Sequence, residues 1–219
     1  MKWILVCKKK TAQPASGNYR EWKEILAKEA KNQCVYCAIH EAAFGGTRNF
    51  HVEHYRPKSI FKKLTNNIKN LFYACAICNT FKGDDWPCEP HIAFSVACYP
   101  DASKTDYNQL FELDLTGEIK GKFVASKYMV EKLYLNRPQL LMERRTANAR
   151  IRLDSVIERL TASTKAITGS AQVDQEGLKL LARAIKLLGE SSKLQTNLAK
   201  IRPYKPQHIE RTSKKKAKR

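Results

Sequence analysis

The chain has 219 residues, 43% of them hydrophobic, and its 40 Lys and Arg outweigh 21 Asp and Glu to give a formal net charge of +19. This length allows one large domain or two small ones with a packed core, which excludes a minimal disulfide-stapled peptide. So large an excess of cations gains most from neutralising phosphates, so nucleic acid is the first partner class expected.

Residues 1–6 alternate weakly and predict a short strand, and Lys8, Lys9, Lys10, Pro14 and Gly17 predict a loop. The early apolar run, residues 3–7, is too short for a bilayer span, which needs roughly 20 apolar residues, and too short for a signal-peptide core. A cytoplasmic protein with no membrane partner is therefore expected. Asn18 reads as the N-cap of a helix over residues 19–32, where Trp22, Ile25, Leu26 and Ala30 recur at helical spacing. Gly45-Gly46 marks a turn, and Phe50 to His54 has the aromatic and β-branched content of a strand that Pro57 ends. Residues 70–78 read as a loop or turn, and residues 111–119 as a two-stranded hairpin. Helices follow: one carrying Met129, Leu133 and Leu135, a second over residues 139–163 after Asn136-Arg137-Pro138, and a third over residues 174–199. The stripe Leu140, Leu141, Ala147, Ile151, Val156 and Leu160 predicts that these helices pack on one another. The last nine residues carry six positive charges and no acid, which predicts a solvated, disordered end.

Seven cysteines in a reducing compartment suggest metal ligation more than disulfides. Cys34-Val35-Tyr36-Cys37 and Cys75-Ala76-Ile77-Cys78 are two Cys-x-x-Cys pairs, and together they supply the four thiolates of a structural zinc site with no open position for water. Thirty-seven residues separate the pairs, more than a simple zinc ribbon needs, so the knuckles close around an insert. Cys7, Cys88 and Cys98 lack such a pattern and read as small apolar residues.

Inside the insert stand His51-Val52-Glu53-His54-Tyr55-Arg56-Pro57-Lys58-Ser59, then Asn70-Leu71, then Cys78-Asn79-Thr80-Phe81-Lys82-Gly83. This ordered set resembles the HNH nuclease signature. The resemblance implies an α+β fold: a ββα-metal core stapled by the four-cysteine zinc site, with a mainly α-helical C-terminal region. It implies hydrolysis of phosphodiester bonds in nucleic acid, leaving 5′-phosphate and 3′-hydroxyl ends. Glu53 would bind a catalytic Mg²⁺ or Mn²⁺, His54 would be the general base, Asn70 would hold the loop geometry through backbone hydrogen bonds, and Asn79 would be the second protein ligand. The chemistry agrees: carboxylate and amide oxygens suit a hard cation, and neutral imidazole accepts a proton from water near neutrality. His51 is a possible auxiliary to the metal or phosphate, since a strand turns it to the same side as Glu53. Arg56, Lys58 and Lys82 are candidate nucleic-acid contacts. His40, His91 and His208 read as structural or exposed.

These motifs, with Asn70-Leu71-Phe72, the run from Leu110 through Gly117 to Glu118, and Leu135-Asn136-Arg137-Pro138, resemble the HNH subfamily that includes PtuB, the nuclease subunit of Septu antiphage systems also found beside some retrons. The likeness runs over residues 34–150 and implies a PtuA-like ATPase partner docked on the C-terminal helices. The expected organisation is an N-terminal strand, loop and helix over residues 1–33, a zinc-stapled HNH domain over 34–125, a helical region over 126–205 and a disordered basic tail over 206–219. The alternatives are a non-catalytic zinc-knuckle nucleic-acid-binding protein and a stand-alone restriction or homing-type HNH nuclease.

Overall fold

The computed structural model describes residues 2–114, 116–168 and 175–200. Strands β1 (Phe50–His54) and β2 (Leu71–Cys75) pair antiparallel, with Phe50 opposite Cys75 and His54 opposite Leu71. Helix α2 (Ala76–Lys82) follows β2 without a linker, and helix α1 (Lys23–Glu29) packs against both strands. Every residue of β2 is buried. That is why residues 70–78 did not read as a strand: a strand covered on both faces lacks the polar alternation that signals one.

Two further expectations are corrected. Residues 2–7 form no strand, and the segment is held instead by single contacts, such as Val6 N–H to Ala102 O at 3.1 Å and Trp3 stacked on Phe111 at 5.0 Å. The first helix begins only at Lys23, because Asn18 caps a turn, accepting from Arg20 N–H at 2.9 Å, and residues 19–22 stay in turns.

The core spans the sheet and its covers: Trp22 and Leu26 from the α1 side, Tyr36 and Ile39 from the first knuckle, Phe50 stacked on Tyr73 at 4.7 Å, and Tyr99 behind. Helix α3 (Tyr107–Leu110) leads into a second antiparallel pair, β3 (Phe111–Leu113) and β4 (Ile119–Gly121), against which α4 (Val124–Lys132) packs. Gly121 permits this approach, since a Cβ there would lie 2.3 Å from Lys127 N.

Helices α5 (Pro138–Thr168) and α6 (Gln175–Lys200) pack on each other. Among the described side chains of α5, the buried ones are at its start, Leu140 and Arg144. Further along, Ile151, Val156 and Leu160 are exposed, so the predicted stripe is not covered along its length: two helices alone cannot enclose it. No described helix is long and apolar enough to cross a membrane. The fold is α+β, with small antiparallel sheets and a helical C-terminal region. The predicted basic tail lies outside the described residues.

Candidate active site

The two knuckles meet because one precedes the sheet and the other ends it. Val35 N–H bonds Tyr73 O at 2.9 Å, tying the first knuckle to β2, while Cys75 closes β2 and its sulfur accepts from Cys78 N–H at 3.5 Å as the cap of α2. The sulfurs of Cys34, Cys37, Cys75 and Cys78 all lie within 4.8 Å of one another, and those of Cys37 and Cys75 are 3.8 Å apart. Tetrahedral zinc with bonds of about 2.3 Å sets its sulfurs about 3.8 Å apart, so the donor set and its size fit the ion. All four residues are buried. Hydrogen bonds from Cys34 first, then Cys37 and Cys78, pull Cys75 far below the ordinary thiol range, while burial pushes Cys34 up. Ionising all four buried sulfurs together therefore needs a cation among them.

A cleft of about 370 Å³ opens beside this staple, lined by His51, Glu53, His54, Asn79, Lys58 and the N-terminal residues Tyr19, Arg20 and Lys23, among others. The β1 and α2 backbones bring together the acid, both histidines and the asparagine. His51 Nδ1 lies 3.4 Å from the Asn79 amide.

Glu53 is 3% exposed. Its Oε1 accepts from Tyr36 O–H at 3.2 Å and from Lys82 Nζ at 2.8 Å. Burial raises the Glu53 carboxyl, and Lys82 pulls it back toward ionisation. Both contacts fall on Oε1, and the residue lines the cleft.

His54 Nε2 sits 3.0 Å from Thr65 O. A carbonyl can only accept, so Nε2 carries the proton and Nδ1 is the basic nitrogen. Burial lowers the His54 basicity, more than the Thr65 contact raises it. The ring also meets the edge of Tyr19 at 4.6 Å.

Asn70 is buried, and its amide bonds both Arg56 N–H (2.9 Å) and Arg56 O (3.0 Å), with Leu64 O at 3.3 Å. Those bonds continue the β-ladder past His54 with a side chain in place of backbone.

The predicted phosphate contacts separate. Lys58 is exposed at the cleft and donates to Tyr19 O–H at 3.1 Å. Lys82 is 1% exposed and its ammonium is spent on Glu53 and on His54 O at 3.0 Å, so the expectation of a phosphate contact there is corrected: the α2 helix turns it into the core. Arg56 stays partly exposed, in a two-point surface ion pair with Glu89 (3.1 and 2.6 Å) beside the rings of Phe61 and Trp86.

Residue reasoning missed Tyr36, Tyr19, Arg20 and Arg137. Tyr36 stood in plain view inside a knuckle, but nothing in a Cys-x-x-Cys pattern says where its side chain goes. Arg137 comes from 59 and 100 residues away to donate to Cys78 and Cys37 at 3.6 Å each, and to Cys75 at 3.7 Å.

Residues 34–85 match the family model for the HNH endonuclease. The segment spans both knuckles and the whole of the β1, β2 and α2 unit; it is an HNH domain, and the match supports nuclease activity on a nucleic-acid substrate. No curated protein matches the chain.

Proposed function

We propose that the protein is a metal-dependent endonuclease that hydrolyses phosphodiester bonds in DNA, with RNA as the alternative substrate. The observation that carries this is the convergence of Glu53, His54 and Asn79 on one cleft, with His54 held in the tautomer that leaves Nδ1 basic.

Glu53, through Oε2, and Asn79 would hold the ion, with His51 beside them. A hard divalent cation, Mg²⁺ or Mn²⁺, supplies positive charge against the phosphate and the leaving oxygen when bound there. Tyr36 and Lys82 fix the carboxylate by its other oxygen. His54 Nδ1 takes a proton from a water in the cleft, and that water's oxygen bonds to phosphorus as the ester oxygen leaves. Thr65 O steadies the imidazolium that forms. Asn70 keeps the segment after β1 in register, so that His54 stays at the cleft. Lys58 and Arg20 face the cleft as cations for neighbouring phosphates.

Incubating plasmid DNA or RNA with wild type and His54→Ala in Mg²⁺ or Mn²⁺ tests the assignment. Wild type is expected to cut and the variant to lose at least about 100-fold in rate, the lower bound typical of a general base. Equal cleavage by both proteins removes His54 from the mechanism.

A finer proposal places the nuclease in the cytoplasm as an antiphage effector working with a PtuA-like ATPase. Its support is the subfamily likeness over residues 34–150 and the exposed Val156, Leu160, Leu180 and Leu187 on the C-terminal helices, where a partner could dock. A P-loop ATPase in the adjacent reading frame is expected, and its absence withdraws that support.

A further inference from the structure

The segment that joins α4 to α5 grips the molecule at two places. On one side Asn136 brackets β4, accepting from Ile119 N–H and donating to Ile119 O at 2.9 Å each. Arg144, one turn and more into α5 and 1% exposed, locks this clamp by donating to Leu135 O at 2.7 Å and to Asn136 Oδ1 and Gly117 O at 3.2 Å each. On the other side Arg137 lays both terminal guanidinium nitrogens on the sulfurs of Cys37, Cys75 and Cys78. The remaining contacts of those nitrogens are the carbonyls of Leu133 and Tyr134 at 3.3 Å, and Nε is buried with no partner. This guanidinium is therefore aimed at the thiolates and spent there.

Electrostatics gives the geometry a purpose. A divalent zinc among four thiolates leaves two negative charges in a buried site, and a buried charge without a counter-charge is costly. A planar guanidinium answers several sulfurs at once, which an ammonium on a flexible stem cannot do. We propose that Arg137 is the outer-sphere partner of the four-cysteine site, and that through it zinc binding and the docking of residues 133–144 on the HNH domain stabilise each other. Such coupling is reciprocal, because each event lowers the free energy of the other by the same amount. Arg137 is a positioning residue here: it touches the metal's ligands and not the substrate. The proposal rests on the zinc reading of the cysteines and is independent of the nuclease chemistry.

The test uses the full chain and zinc itself. Zinc affinity is measured by chelator competition for wild type, Arg137→Gln, Arg137→Lys and Arg150→Gln, an exposed arginine farther along α5. Loss of an outer-shell partner typically weakens metal binding by about 10–100-fold, and that loss is expected in Arg137→Gln, a smaller one in Arg137→Lys, and none in Arg150→Gln. In the zinc-loaded Arg137→Gln protein, amide exchange over residues 133–144 is expected to rise while β1 and β2 stay protected. Equal zinc affinity in all four proteins overturns the proposal, as does unchanged exchange over residues 133–144. If Arg137→Gln fails to fold, Arg137→Lys against wild type still decides. A wild type that holds no zinc at all would instead overturn the zinc reading beneath it.

Discussion

Glu53 shows how much a single side chain's role depends on its neighbours. Burial works against the charged form of a carboxylate this deep, Lys82 and Tyr36 at its Oε1 favour that form, and Lys82 is itself buried by the same contact. Removing one partner of a buried pair leaves the other charge uncompensated, which costs about 3–5 kcal/mol. Lys82→Met is therefore expected to destabilise the zinc-loaded protein by about that much in urea unfolding, and Glu53→Gln added to it to restore part of the loss. Additive losses in the double variant would show that the two side chains do not act as a pair. The sequence names both residues, but their 29-residue separation hides the contact, and an i,i+3 lysine after a motif asparagine looks like a surface cation until the helix is docked.

At the scale of elements, the HNH unit is held by its ends. The hairpin has five residues in each strand, its helix seven, and the knuckles close the chain around them. So small a core would gain much from a metal: structural zinc binding contributes on the order of 10 kcal/mol, which in a unit of this size would be folding free energy. Zinc removal by a chelator, or Cys34→Ser, is expected to abolish the cooperative thermal transition of the HNH region and the tertiary near-ultraviolet signal of its packed tyrosines. Verified zinc loss with unchanged thermal unfolding would refute this role. Strand β1 was legible from its aromatic and β-branched content and the proline three residues past its end; β2 was not, because burial on both faces erases the pattern. The α5 stripe correctly announced packing between the helices, but a helix pair has too little surface to cover all of it, and Ile151, Val156 and Leu160 stay exposed.

For the whole molecule, the charge is spread. Residues 1–100 carry 15 basic and 8 acidic side chains, and residues 101–219 carry 25 and 13. The helical half thus supplies the larger excess, while the cleft draws on Lys58 and on Arg20 from the segment before α1. Both side chains donate to Tyr19 O–H, Arg20 at 3.3 Å and Lys58 at 3.1 Å, which places two cations next to the ring that edges His54. In the cleavage-deficient His54→Ala background, Arg20→Gln with Lys58→Gln is expected to weaken DNA binding and to flatten the dependence of log affinity on log salt by about 0.9 for each phosphate no longer neutralised. Fluorescence anisotropy across a salt series reads this, and an unchanged slope would place the phosphates elsewhere.

The amino-acid sequence by itself determined the class of chemistry. Paired Cys-x-x-Cys knuckles, an acid next to a histidine and two spaced asparagines are local features, and the ligand types follow from the residue types alone. Only the tertiary structure decided which charges are available and which are spent. Lys82 turns to Glu53 and Arg137 to the cysteine sulfurs, while Arg20 joins the cleft from outside the motif. The physical reason is that a cation's function is set by what lies within a few ångströms of it, and those neighbours come from segments up to 100 residues away.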